Sequence, residues 1–518
     1  MAEAPVAQQA EPALDACNAG YTALRAELSR WLAQSMRSDG PGPNGGGEDE
    51  ANYALAWFPH YLVTADPTIA RWFRSLLAAL AGWVGVQCHH GYEPEAEAHH
   101  GTEPFILFLP RYLALFPDDR TARRLLLDAA EHVGNWCAEV PDWFDYERGC
   151  FRSFAIGSRV VGENPGLAFE LAEHVRFLHL ALAAYRVSGE TRYLEWADRY
   201  GTVWAHRITA VADRFPLLWT QPGEPRFEEQ VADHPIAVAA GAGHHVPGDP
   251  LAGLENLLAS GVVHALGDLY AAAGGAHYHS AARRLAAPLV AELADPCADP
   301  AAAALCHYRH TFADRSLDDA IRAQFARFAP PSQRPLAMIF PEDRRRRVPG
   351  VGRRNDMIHW AEWHDDGSTT PTREPSTAAL TLAYQVTGDA GYAARALDTA
   401  ARKLAMARRV LRGGREHADM GGAVCSVAAG HGRNWGTGAV TGCYGPLLLG
   451  TCDRMGAVTP RIELSDRPAG LLSLLSDSAV RFYNGSGAAV TCRWRPAGSD
   501  RWQDLRLIAG ATTAVSLA

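Results

Sequence analysis

The sequence predicts a mainly α chain: a toroid of helical hairpins followed by a small C-terminal antiparallel β domain. Three observations carry that expectation. Five segments repeat one pattern of apolar helix, tyrosine, turn and second helix. The N-terminal helix has no hairpin mate of its own, and from Pro460 the texture changes to short alternating runs. The expected limits are a disordered segment over 1–13, the toroid over 14–458 and the β domain over 459–518.

The repeats are YLVTADPTIARWF from Tyr61, YLALFPDDRTARRL from Tyr112, YRVSGETRYLEWA from Tyr185, YAAAGGAHYHSAA from Tyr270 and YQVTGDAGYAARA from Tyr384. Repetition of one supersecondary unit is the signature of an array whose neighbours bury each other's apolar faces. Glycine supplies the left-handed stop of the first helix, and aspartate or threonine caps the second. Each tyrosine is therefore expected to pack at a hairpin bend. A sixth unit is expected around Thr437–Cys452, with the helix in ALDACNAGYTALRAELSRWLAQSM as its outer partner. That pairing of first helix with last would close a ring of six.

The markers spread apart along the chain, from 51 residues between Tyr61 and Tyr112 to 114 between Tyr270 and Tyr384. Two ordinary helices need only about 30 to 45 residues, so the surplus belongs to connections between hairpins. These all emerge on one rim, the expected active face. After Pro460, RIELSD, AVRFYNGSG, AAVTCRWRPAG, WQDLRLIAG and TTAVSLA read as four or five antiparallel strands.

Composition narrows the function. A chain of 518 residues that is 47% hydrophobic can bury a large core. A net charge of -9 argues against a nucleic-acid or membrane-surface partner. Arg344–Arg347 is expected to be a solvated loop. The ten cysteines are scattered without a paired CxxC, which suggests reduced thiols and no disulfide framework. The N-terminal residues lack the basic and apolar regions of a signal peptide, and no stretch is expected to span a membrane, so a cytoplasmic location is expected.

Alternating inner and outer helices, with turns such as VTGD, SGET and VTAD, resemble the (α/α)6-barrel enzymes that act on sugars. These include unsaturated glucuronyl hydrolases, other barrel glycosidases, and the toroid-domain polysaccharide lyases of heparinase and alginate-lyase type. The resemblance covers roughly residues 14 to 455 and lies in the architecture. It implies a (α/α)6 toroid that cleaves glycosidic bonds in an oligo- or polysaccharide.

Counting back about three turns from each tyrosine reaches the start of an inner helix, where carboxylates recur. They are Glu48, Asp49 and Glu50 in the first unit, Glu103 in the second, Glu173 in the third, Glu255 in the fourth and Glu374 in the fifth. Units two and five face each other in a ring of six. Glu103 with Glu374 or Glu173 is thus the expected pair, one protonating the leaving oxygen while the other activates water or attacks carbon. Each also suits the first turn of a helix simply by its charge.

Histidines crowd the same rim: His89, His90, His99, His100, His174, His244, His245, His359, His364 and His431. They open a second route, elimination from a uronate, which needs a group to neutralise the carboxylate, a base and an acid. Arg354, Asn355, His359, His174, Arg433, Asn434 and Tyr444 are its candidates. Trp360, Trp363, Trp435 and His364 are expected to line the sugar cleft, with Glu50, His99, His100 and Glu255, because flat C–H faces of sugars stack on indoles.

No cofactor or metal is expected. Cys88, His89, His90, His99 and His100 are close in sequence, yet neither HExxH nor CxxC is present. GPGPNGGGEDE lacks the ending of a phosphate loop. A sugar-binding toroid without catalysis is the third alternative. Cyclase chemistry is disfavoured by the absence of an Asp-rich ionisation motif.

Overall fold

Each tyrosine marker closes a helix by accepting, on its carbonyl, an amide N–H from farther along the chain. The donors are Ala65 to Tyr61, Phe116 to Tyr112, Gly189 to Tyr185, Gly274 to Tyr270 and Gly388 to Tyr384, at 2.7–3.0 Å. Gly189 and Gly388 stand at φ 75° and 71°, the left-handed conformation that ends a helix without a steric penalty; Ala65 takes the same conformation at φ 51°. Asp66 and Asp119 then cap the following helices through the amides of Thr68, and of Thr121 and Ala122.

The structure is a computed structural model that describes residues 10–35, 57–95, 104–159, 161, 166, 168–221, 223–231, 254, 257–258, 260–296, 299–339, 359–410, 444, 447–448, 460–468 and 470–517. It is mainly α with small antiparallel sheets. The helix α1 spans Ala10–Ser35. Hairpins follow as α2 (Trp57–Thr64) with α3 (Pro67–Gln87), and α4 (Leu109–Leu115) with α5 (Arg120–Ala130). A π-helical turn, Pro104–Phe108, leads into α4. Next come α6 (Arg176–Ser188) with α7 (Thr191–Ala210), and α8 (Val262–Ala273) with α9 (Ala276–Leu289). The remainder are α10 (Asp299–Thr311) with α11 (Asp318–Phe325), and α12 (Thr377–Thr387) with α13 (Ala390–Val410).

The α10–α11 hairpin is additional to the five repeats and accounts for much of the long gap between Tyr270 and Tyr384. It obeys the same rule, since the Tyr308 carbonyl accepts from Phe312 N–H. Its hydroxyl donates to Asp314, as that of Tyr112 donates to Asp119. The turn HTFADRSLDD carries no glycine, like the turns after Tyr61 and Tyr112. Ala313 provides the positive φ instead.

Burial sorts the helices into two layers. Arg176 to Ala184 of α6 and Thr377 to Gln385 of α12 are buried without interruption, as a helix surrounded by protein must be. By contrast α7 buries one stripe, with Tyr193, Trp196, Ala197, Tyr200, Trp204 and Ile208 three or four apart. The inner layer runs in contact from Pro104–Phe108 to α6, α8, α10 and α12, and in the outer layer α3 touches α5, α7 touches α9 and α13 touches α1.

The first helix already begins at Ala10, inside the segment expected to be disordered. It lies along α13, where Cys17 Sγ donates to Ala390 O at 3.3 Å. A Cβ at Gly20 would stand 3.0 Å from that of Leu397. Of the expected sixth inner helix, Tyr444, Leu447 and Leu448 are described and buried. Tyr444 touches both ends of the series: its ring is 6.2 Å from that of Tyr21 on α1, and its hydroxyl is 3.0 Å from Nδ1 of His60 on α2.

One expectation needs correction on apolarity. α3 is long and apolar enough to cross a membrane by length and composition. It is instead a packed helix whose Ile69, Trp72, Phe73, Leu76, Leu77 and Leu80 are buried, with Phe73 stacked on Phe58 at 4.5 Å.

Among the described residues the C-terminal strands number six, not four or five, in two three-stranded sheets. One joins β10 (Leu471–Leu475), β11 (Ala479–Asn484) and β14 (Thr512–Ser516); the other joins β13 (Gln503–Leu507), β12 (Val490–Pro496) and β9 (Ile462–Leu464). Leu472, Leu474 and Tyr483 belong to the helical core, whereas Leu471, Leu475, Val480 and Phe482 pack with Ile462, Trp494, Leu505 and Leu507 in a second, smaller core. The domain sits on the bends. Arg481 donates to Gly388 O at 2.8 Å, Asp477 N–H to Gln385 O at 3.1 Å, and Tyr483 Oη to Asp15 of α1.

The opposite side differs. Among the described residues, every strand before Pro460 lies in a connection that leaves an outer helix and enters the next inner one. These are β1 (Phe144–Asp145), β2 (Cys150–Phe151), β3 (Phe169–Leu171), β4 (Leu218–Thr220), β5 (Pro225–Arg226), β6 (Leu336–Ile339), β7 (His359–Trp363) and β8 (Thr369–Pro371). Because β3 pairs with β4, the connections into α6 and α8 share one sheet.

Candidate active site

The segment FELAEHVRFLH places a polar side chain at every third position of an apolar run: Glu170, Glu173, Arg176 and His179. It passes from β3 through a 3-10 turn, Ala172–Val175, into α6. That turn carries the polar positions inward, and all four, with His174, are less than a tenth exposed. Burying charge costs several kcal/mol per ion unless partners compensate, so such a run marks a built site.

Glu170 anchors it. Its Oε1 accepts from Phe151 N–H at 2.9 Å and Tyr200 Oη at 2.8 Å, and its Oε2 pairs with Arg207 at 2.5 Å. Burial, and then the carboxylate beside it, holds the Tyr200 phenol protonated well above its ordinary range. At the next steps, the Leu171 N–H donates to His174 Nδ1 at 3.1 Å, orienting the ring among Phe151, Phe154 and Phe177. The His179 ring, through Nε2, meets Ser260 O at 3.2 Å and so ties α6 to the connection entering α8. Glu173 and Arg176 share the start of this inner helix with His174. An acid, an imidazole and a guanidinium there can move a proton and neutralise an anion.

Glu374 is also buried at the entrance to an inner helix, but its carboxylate is committed elsewhere. Arg402 on the outer helix α13 meets its two oxygens at 3.0 and 3.2 Å, and the Ser332 N–H donates to it at 2.5 Å. It fastens the segment before β6 and the outer helix α13 to the entrance of α12. Tyr444 stands away from the rim, because its partner His60 immediately precedes the bend residue Tyr61. Burial pushes the His60 imidazole down to about 4, with Arg25 adding to the effect.

On the rim strands, His359 and Trp360 pair in register with Ile339 and Met338. Trp363 is 49% exposed at the end of β7, and His364 Nε2 is 2.8 Å from Thr370 Oγ1. Glu50, His99, His100, Glu103, Glu255, Arg354, Asn355, Arg433, Asn434 and Trp435 lie outside the described residues.

Glu170, Arg176 and His179 escaped the sequence reading, although their three-residue spacing was a usable signal. Away from this site, His90, Cys137 and Glu139 bring metal-ligating atoms together. A comparison with protein-family models found no match, and none of the curated proteins matches the chain.

Proposed function

We propose that the hairpins close into a toroid and that its rim cleaves glycosidic bonds in an oligo- or polysaccharide, with Glu173 as the acid/base carboxylate. The carrying observation is the buried run of Glu173, His174 and Arg176 at the entrance to an inner helix. Closure is supported by Tyr444 touching both α1 and α2. With α10–α11 counted, the ring has seven hairpins in place of six.

In this reading Glu173 protonates the leaving oxygen, and a second carboxylate activates water or attacks the anomeric carbon. Glu103 is the partner, because Glu374 is held by Arg402 and Ser332. The half-exposed Trp363 offers an apolar face on which a sugar ring stacks. The free thiols of Cys17, Cys88, Cys137, Cys150, Cys306 and Cys492 suit a reducing compartment such as the cytoplasm.

A second reading, β-elimination from a uronate, is favoured by His174 and Arg176, which follow Glu173 within one helical turn. The test is a panel of neutral and uronate-containing oligosaccharides, monitored for new reducing ends and for ultraviolet absorption by an unsaturated product. Hydrolysis gives reducing ends without the chromophore, and Glu173→Gln lowers kcat by about 10²-fold or more. A chromophore selects elimination. Saccharide binding without turnover, or full activity in Glu173→Gln, overturns the hydrolase.

A further inference from the structure

We propose that His90, Cys137 and Glu139 form a zinc site that fastens the turn after α3 to the loop after α5. This inference is independent of the saccharide reading. It draws its ligands from two connections that sequence spacing does not link.

The turn presents His90 rigidly. His89 N–H donates to Tyr92 O at 2.7 Å and Tyr92 N–H to His89 O at 3.3 Å, leaving His90 and Gly91 as the two central residues at φ 50° and 71°. Two successive positive φ values define the tight hairpin turn that normally takes Asn-Gly. Gly91 is pressed onto the end of α5, where an added Cβ would meet Ala129 N at 2.7 Å. The His90 carbonyl is held as well, 2.6 Å from Nε2 of His132, whose ring stacks on Trp143 at 4.6 Å. Backbone contacts on both sides thus fix where the His90 imidazole projects.

Opposite it stand Cys137 and Glu139. The donor atoms of the three residues all lie within 4.8 Å of one another. Cys137 Sγ is 3.5 Å from Glu139 Oε2. Zinc bonds of about 2.0–2.3 Å place tetrahedral ligands about 3.5 Å apart, so small side-chain rotations complete the triangle. One thiolate, one imidazole and one carboxylate suit zinc better than the all-oxygen preference of calcium or magnesium. The Asp128 carboxylate interacts electrostatically with His90 and, less strongly, with His89, which adds negative charge beside the ligands.

The experiment strips the full chain with a chelator and titrates it with Zn²⁺ and, separately, Co²⁺. One equivalent of zinc is expected to remain after gel filtration and to raise the thermal midpoint. Cobalt is expected to give a thiolate-to-metal charge-transfer absorption that Cys137→Ser abolishes, while zinc affinity falls at least tenfold in Cys137→Ser and His90→Gln. Cys137 is only partly buried and Glu139 is exposed, so Cys137→Ser and Glu139→Gln should fold, as circular dichroism would verify. Absence of the cobalt–thiolate band overturns the proposal. So does a band that survives Cys137→Ser, or zinc binding unchanged in all three variants.

Discussion

The two ends of the hairpins are built on different principles. At the bends, a tyrosine carbonyl repeats throughout, with a residue of positive φ in most units and a capping aspartate in several. At the rim, each connection differs and is held by partners far apart in sequence, such as Glu170 with Arg207 or Glu374 with Arg402. Local rules can be repeated cheaply by copying a short segment. Long-range polar pairs must be assembled singly, so the rim connections are free to differ from one another where the bends are not.

The sharpest test of that contrast is Glu170→Ala, which strands Arg207 in a buried position. A loss of about 3–5 kcal/mol is expected from denaturant unfolding. A loss under 1 kcal/mol would mean that the rim does not depend on this pair.

Acid should also weaken the protein. Burial pushes His60, at a bend, and His132, near the rim, down to about 4 from about 6.5. The unfolded chain takes up these protons first. Stability is therefore full above pH 6.5 and falls as the pH drops toward 4, by up to about 3 kcal/mol per histidine. Thermal midpoints across that range, repeated on His60→Phe and His132→Phe, would assign the loss to one side or the other. A flat profile contradicts it.

Glu374→Gln separates fastening from catalysis. Weakening the Arg402 pair should cost about 1–3 kcal/mol while leaving kcat on a turned-over saccharide within a few-fold. A loss of kcat by 10²-fold at unchanged stability would return Glu374 to the chemistry. The smallest effects belong to the bends, where Gly388→Ala should cost about 1 kcal/mol and Ala65→Gly should stabilise by a few tenths. Equal signs for both substitutions would break the shared geometry of the two turns.

These contrasts explain what could be read in advance. The bends were legible because tyrosine, glycine and aspartate act on neighbours within a few residues. The hairpin at Tyr308 escaped although Ala313 takes the same positive φ there as Ala65 does after Tyr61. Counting back from Tyr185 and Tyr384 reaches Glu173 and Glu374, but the partner of Glu374, Arg402, lies a helix away where no local pattern points to it. The gathering of His90 with Cys137 likewise depends on how α3 and α5 pack, which no spacing within either loop reveals.

The bond from Tyr483 to Asp15 joins residues 468 positions apart. During synthesis, the first helix must therefore wait for almost all of the rest of the sequence before this partner exists. Until then the side of α1 that meets the β domain is open to the surroundings, and a nascent chain stalled before β11 would present it to chaperones. The last hairpins and the C-terminal sheet act as a latch fitted after the wall is built, so premature termination near residue 480 should yield a chain that is helical yet easily proteolysed at α1.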